Sequence, residues 1–161
     1  MDIAHEIRLD LPSRLEELEL VDRLVEALLE HIGVEEAMRS HLTLAVREAA
    51  ANAVFHGNRL DSGKRTTIVL LVERRDLRVQ VIDEGSGFDP STVPDPLAPE
   101  NLLKPSGRGL LLMRNFMDEV EFEFPDSGGT VVSMRKVLAV PEGSQESETE
   151  DAAGGAGAVR S

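Results

Sequence analysis

The spacing of hydrophobic residues changes period several times along the chain, and the order of those changes narrows the fold more than any other feature. Over "IAHEIRLDL" (residues 3–11), Ile3, His5, Ile7, Leu9 and Leu11 alternate with Ala4, Glu6, Arg8 and Asp10, which predicts a half-buried strand. After Pro12 and Ser13, a candidate N-cap, the period becomes helical. Leu15, Leu18, Val21, Val25, Leu28, Leu29 and Ile32 make one face of an amphipathic helix over 14–32 that stops at Gly33. A second helix, about 35–56, ends at Gly57, read as a left-handed cap. The runs "TTIVLLVE" and "LRVQVID" predict a hairpin that turns at Arg74, Arg75 and Asp76. Five prolines then interrupt residues 89–106, a loop of a length that is functional or disordered in a compact domain. "GRGLLLMRNFMDEV" predicts a short helix, and "EVEFEF" and "TVVSMRKV" a closing hairpin about "PDSGG". No internal repeat occurs. Strand, two helices, two strands, long loop, helix and two strands predict a helical layer over a mostly antiparallel sheet.

At 161 residues and 41% hydrophobic, the chain is long enough for one domain with a sizeable core, assigned here to residues 1–140. Residues 141–161, "PEGSQESETEDAAGGAGAVRS", offer almost nothing to bury and are expected to be a disordered, solubilising tail rather than a docking segment. A formal charge of −13 with no basic patch makes nucleic acid and anionic membranes poor partners. No run approaches the ~18 apolar residues of a membrane span, and no signal-peptide pattern opens the sequence, so a cytoplasmic location is expected. The absence of cysteine excludes disulfides, thiolate nucleophiles and the usual structural zinc sites. The four histidines show no HxxxH or HExxH spacing, so a bound metal would need oxygen ligands.

Three stretches carry candidate chemistry. In "REAAANAVFHGN" (47–58), Glu48, Asn52 and His56 recur every fourth residue and would form a polar stripe, while Leu42, Ala45, Val46, Ala49 and Ala53 form an apolar one. Taken singly, Glu48 also reads as a solvated helix residue and His56 as a cap or packing residue. "VIDEGSGFDP" (81–90) follows a strand and holds Asp83, Gly85 and Gly87, glycines able to take positive φ and to let the backbone approach a ligand; an ordinary β-turn looks the same. "SGRGLLL" (106–112) puts Gly107 and Gly109 at a helix entry, which suits a phosphate as well as a flexible junction. No Walker A, Rossmann or nucleophile-elbow pattern explains these glycines.

As an ordered set, "EAAANAVFHGN", "DEGSGF" and "GRGLLLM" resemble the N-box and two glycine boxes of the GHKL superfamily, the Bergerat-fold ATP-binding domains of gyrase B and histidine kinases. Within it, "GRGLLLMRNFMDEVEF" and "GGTVVSMRK" are most similar to the anti-sigma factor serine/threonine kinases of the RsbW type, over about residues 3–138. The resemblance implies an α+β fold, a two-layer sandwich whose mostly antiparallel, mixed sheet is covered on one face by helices. It implies ATP and Mg2+ as cofactors, with Asn52 as metal ligand and Glu48 as the general base acting on a serine hydroxyl. Asp83 would accept the adenine amino hydrogen, and a buried acceptor there would reject guanine. Gly85 and Gly87 would pass close to base and ribose, residues 91–106 would be the lid, and Gly107 and Gly109 would give N–H groups to phosphate. Lys104 or Arg108 would add charge near the γ-phosphate. His56 and Thr130 are offered as nucleotide contacts, the latter equally a β-propensity surface residue. The partners implied are a sigma factor, a STAS-type anti-sigma factor antagonist and a second copy of the chain. A non-catalytic ATP-binding switch is the alternative; a histidine kinase catalytic domain would need a phospho-accepting helix, for which the 14–32 segment with only His31 leaves no room.

Overall fold

The computed structural model describes residues 4–86, 98–99 and 108–139. Ile3, Gly87, Lys104, Gly107, the lid segment 91–106 apart from residues 98–99, and the tail 141–161 lie outside the described residues.

The elements, in chain order, are β1 (His5–Pro12), α1 (Glu17–His31), α2 (Glu36–Asn52), a π-helical turn (Ala53–Gly57), β2 (Arg65–Glu73), β3 (Asp76–Asp83), α3 (Arg108–Phe116), β4 (Glu119–Glu123) and β5 (Val131–Val137). Among the described residues the strands form one five-stranded sheet ordered β1-β2-β3-β5-β4. Every pairing is antiparallel, including those of β5 with both β3 and β4, so the mixed character expected of the sheet does not extend to these strands. Returning from α3, β4 runs outside the position that β5 fills, and β5 then folds back between β4 and β3.

Register puts one residue set on a single face. Ile7 opposes Leu70, which opposes Val79, which opposes Met134, which opposes Val120; Leu9, Ile68, Val81, Val132 and Phe122 repeat the row. Against that face lie Leu18, Val21, Val25, Leu28 and Leu29 of α1, Leu42, Ala45, Val46 and Ala49 of α2, and Leu110 and Met113 of α3. Each fully buried leucine or valine contributes about 1.5–3 kcal/mol of transfer free energy. Glu6, Arg8, Asp10, Arg78, Gln80 and the Glu119–Glu123 acids point to the other face, which no helix among the described residues covers.

The helix boundaries correct two expectations. Ser13 does not cap α1, which begins at Glu17 with Glu16 at its N-cap; Ser13 is fully buried, its hydroxyl bonded to the Lys64 carbonyl at 3.1 Å. Leu15, placed by periodicity on the core face, precedes the helix and is exposed. Part of the acidic face of α1 is spoken for by α2. Arg39 donates to Glu26 at 2.9 Å, Thr43 donates to the same carboxylate, and Arg47 pairs with Asp22. These contacts clamp α1 to the outside of α2 and so hold α2 in place over β3.

Candidate functional site

α2 carries Glu48 and Asn52 one turn apart, and both side chains are half-buried. Neither takes a hydrogen bond or ion pair among the described residues. After Asn52 the backbone changes pitch, Asn58 N–H bonding to Ala53 C=O at 2.8 Å, five residues back rather than four. His56 lies within this turn and is exposed.

Gly57 ends this turn without the left-handed backbone expected of it. Gly33, Gly128 and Gly129 have positive φ; at the end of the turn the positive values belong to Arg59 (φ 52) and Leu60 (φ 59). Gly57 is required for another reason. A Cβ there would stand 2.2 Å from Asp83 Oδ2, so only a glycine lets the N-box backbone close onto that carboxylate. Gly85 is likewise needed for close approach rather than positive φ, since its Cβ would lie 2.7 Å from the Gly57 carbonyl.

Asp83, the last residue of β3, is 7% exposed. Its Oδ1 accepts from Gly85 N–H at 2.9 Å and Thr130 N–H at 3.1 Å, and its own N–H donates to the Thr130 carbonyl at 3.1 Å. Thr130 therefore joins the site through its backbone, and its side chain also hydrogen-bonds the Asp83 carboxyl. Gly129 (φ 81) makes room for that exchange, because a Cβ would fall 2.3 Å from the Asp83 carbonyl. Burial raises the Asp83 carboxyl above its ordinary value, opposed by the Gly85 and Thr130 N–H groups. Oδ1 is thus occupied twice, and no backbone N–H among the described residues reaches Oδ2.

On the far side of α2, α3 starts at Arg108, which is exposed. A Cβ on Gly109 would stand 2.5 Å from Glu48 Oε2, so the helix entry lies directly against the Glu48 carboxylate. Stacking of His41 on Phe116, ring centres 4.3 Å apart and 4° from parallel, fixes α3 along α2. The described residues thus bring Glu48 to Gly109, and Asp83 to Gly57, Gly85 and Thr130. Asn58 is a participant that sequence reading passed over: fully buried, it accepts from Glu84 N–H at 2.8 Å and donates to the Arg65 carbonyl at 2.9 Å and to Ser13 Oγ at 2.6 Å. Its place at the end of "HGN" was visible, but nothing local distinguishes a buried asparagine from one in a solvated turn.

A helical layer on one face of an antiparallel sheet, with acidic and amide side chains beside a glycine-entered helix, defines a two-layer α+β domain of the ATPase class. The chain belongs to the Histidine kinase-like ATPase domain family, which it matches over residues 11–136. It is 31% identical over 141 residues to an anti-sigma F factor of Geobacillus kaustophilus, covering 85% of this chain and 95% of that one. It is 26% identical over 143 residues to the serine-protein kinase RsbW of Bacillus mycoides, covering 85% and 88%. Its fold is similar to a crystal structure of the RsbU and RsbW domains of a Mycobacterium tuberculosis protein, at a TM-score of 0.63 and 19% identity over 85% of this chain and 33% of that one. Among the described residues, no helix is long and apolar enough to cross a membrane.

Proposed function

We propose that this chain is an anti-sigma factor with serine/threonine kinase activity: it holds a sigma factor and, using ATP and Mg2+, phosphorylates a serine or threonine of a STAS-type antagonist. The observation that carries the reading is the opposition of Glu48 and Asn52, one turn apart beside the Gly109 helix entry, to a base acceptor at Asp83. Asn52 offers an amide oxygen, a hard ligand suited to a magnesium that keeps waters and phosphate oxygens. Glu48 can take the proton from an attacking hydroxyl or hold that hydroxyl in line with the γ-phosphate, work that binding alone does not require. Asp83 Oδ2 would accept the adenine amino hydrogen. Lys104, Gly87, Gly107 and Arg108 complete the reading as nucleotide contacts by resemblance, with 91–106 as lid. The relatives' names, an anti-sigma F factor and a serine-protein kinase, support a sigma factor as partner and serine as the acceptor; the antagonist belongs to the same reading by resemblance. A homodimer in the cytoplasm belongs to the same reading.

The test is calorimetric titration of ATP and GTP, with and without Mg2+, into the full chain and its Asn52→Ala variant, followed by transfer of labelled phosphate to an antagonist. Magnesium-dependent ATP binding, abolished by the substitution, with transfer to a serine or threonine is the expected result. Binding without transfer would leave a nucleotide-controlled switch, and no binding by the folded wild type would sink the nucleotide reading.

A further inference from the structure

Three buried polar side chains lie beneath the site: Ser13 at 0% exposure, Asn58 at 0% and Thr66 at 2%. Asn58 is their hub. Its Nδ2 reaches the Arg65 carbonyl at 2.9 Å, Ser13 Oγ at 2.6 Å and Thr66 Oγ1 at 3.3 Å, and its Oδ1 takes Glu84 N–H at 2.8 Å. The amide can point only one way. Glu84 N–H can only donate and the Arg65 carbonyl can only accept, so a flipped Asn58 would set donor against donor and acceptor against acceptor.

These contacts tie three strand ends to the end of the α2 segment. Ser13 follows β1, Arg65 and Thr66 open β2, and Glu84 follows β3 directly after Asp83. Thr66 is also the cross-strand partner of Asp83. Asn58 itself is anchored by its N–H on the Ala53 carbonyl, and the chain leaves it through two successive left-handed non-glycine residues, Arg59 and Leu60. Such conformations persist where surrounding contacts over-determine them, and the Asn58 network supplies those contacts.

On the Asp83 side, the backbone of residues 83–85 is held from two directions. Thr130 exchanges hydrogen bonds with Asp83 on one flank, and Asn58 grips Glu84 on the other. We propose that Asn58 is a positioning residue for base recognition: by gripping the Glu84 amide it fixes where the Asp83 carboxylate stands, and it joins that carboxylate to the helix that bears Glu48 and Asn52. This rests on reading the site as one for ATP. The phosphate end of the site lies upstream of the hub on α2, so the hub governs recognition of the base and not of the phosphates.

The experiment uses the full chain with two probes, magnesium ATP and magnesium tripolyphosphate, the second lacking a base, titrated well below each protein's melting temperature. Asn58→Ala should weaken ATP binding by about tenfold or more while tripolyphosphate binding stays within about twofold. Ser13→Ala, which removes one support of the hub but leaves the grip on Glu84, should lower the melting temperature and keep the ratio of the two affinities. A purely structural Asn58 would weaken both ligands alike or neither, and either result overturns the proposal. Should Asn58→Ala fail to fold, amide hydrogen exchange on the nucleotide-free wild type decides: Glu84 N–H should be protected like Asp83 N–H, and fast exchange there overturns the proposal. A wild type that binds neither probe overturns the ATP reading, which the unmutated arm reveals by itself.

Discussion

The two ends of the site are built in opposite ways. At the β3 end, the Asp83 carboxylate is buried, twice hydrogen-bonded through Oδ1, and enclosed by Gly57, Gly85 and Gly129 so tightly that a methyl group on any of them would collide with a neighbour. At the α2 end, Glu48 and Asn52 are half-buried side chains without hydrogen-bond or ion partners among the described residues. One end is held by hydrogen bonds already in place; at the other, the polar atoms have no partner among the described residues, which suits the cation, phosphate and hydroxyl proposed for it. The difference matches the demands on each. Reading a base needs a fixed acceptor, whereas phosphoryl transfer needs groups that reach full coordination only when the reactants are present.

Replacing Glu48 gives the largest expected effect. Glu48→Ala should keep magnesium-dependent ATP affinity within a few-fold and lower phosphotransfer by about 10²–10⁴ in a single-turnover assay. Equal loss of binding and transfer would erase the distinction between the two ends.

Asp83→Asn is next. It should lower ATP affinity about 10–100-fold in calorimetry, because the acceptor proposed to face the adenine amino group becomes a donor. Its effect on stability should run the other way. Burial raises the folded-state pKa of Asp83 from 3.8, so the folded protein binds more protons than the unfolded chain between that value and the raised one, and stability falls as pH rises through this window. The asparagine variant lacks that loss. Its melting temperature should exceed the wild type's at pH 7, and the gap should close as pH falls below 3.8. A variant less stable at pH 7 than at pH 3.5, relative to wild type, would show that the ionised carboxylate is favoured by its hydrogen bonds more than it is penalised by burial.

Gly109→Ala should have the smallest effect and refines the comparison at the open end. The added methyl meets the flexible end of Glu48, 2.5 Å from Oε2, so the carboxylate must shift while the helix itself tolerates alanine. We expect transfer to fall about five- to tenfold with ATP affinity and melting temperature nearly unchanged. A large loss of stability would mean that the α3 entry is as rigid as the β3 end.

Much of the scaffold was legible because it follows from period alone. Alternation gave β1, β-rich runs gave β2 and β3, each to within a residue or two, and helical spacing gave α1 and α2, since core burial acts on each side chain through its local repeat. What period could not supply was the change of pitch after Asn52, which depends on contacts between the 53–60 segment and β3, far apart in sequence. For the same reason Gly57 was read as a cap and Ser13 as another cap. Local rules assign glycine to left-handed turns and serine to helix starts, whereas here one makes room for Asp83 and the other completes a buried network. Glu48, Asn52 and Asp83 were identified as candidates by motif, and Asn58, in the same motif, was not, because its role lies in four backbone and side-chain partners on three different strands' ends.

The π turn makes chain length itself a fixed quantity in this region. An α-helix advances about 100° per residue and a π turn somewhat less, so deleting one residue between Ala53 and Gly57 with the five-residue bonding kept would rotate everything after it by nearly that angle. Gly57 would swing away from Asp83 and Asn58 out of its pocket, although no side chain named in the site had been altered. Apart from Gly57, this segment should accept single substitutions more readily than insertions or deletions. Among descendants of such a chain, the number of residues between Asn52 and Asn58 should vary less than the identity of those residues.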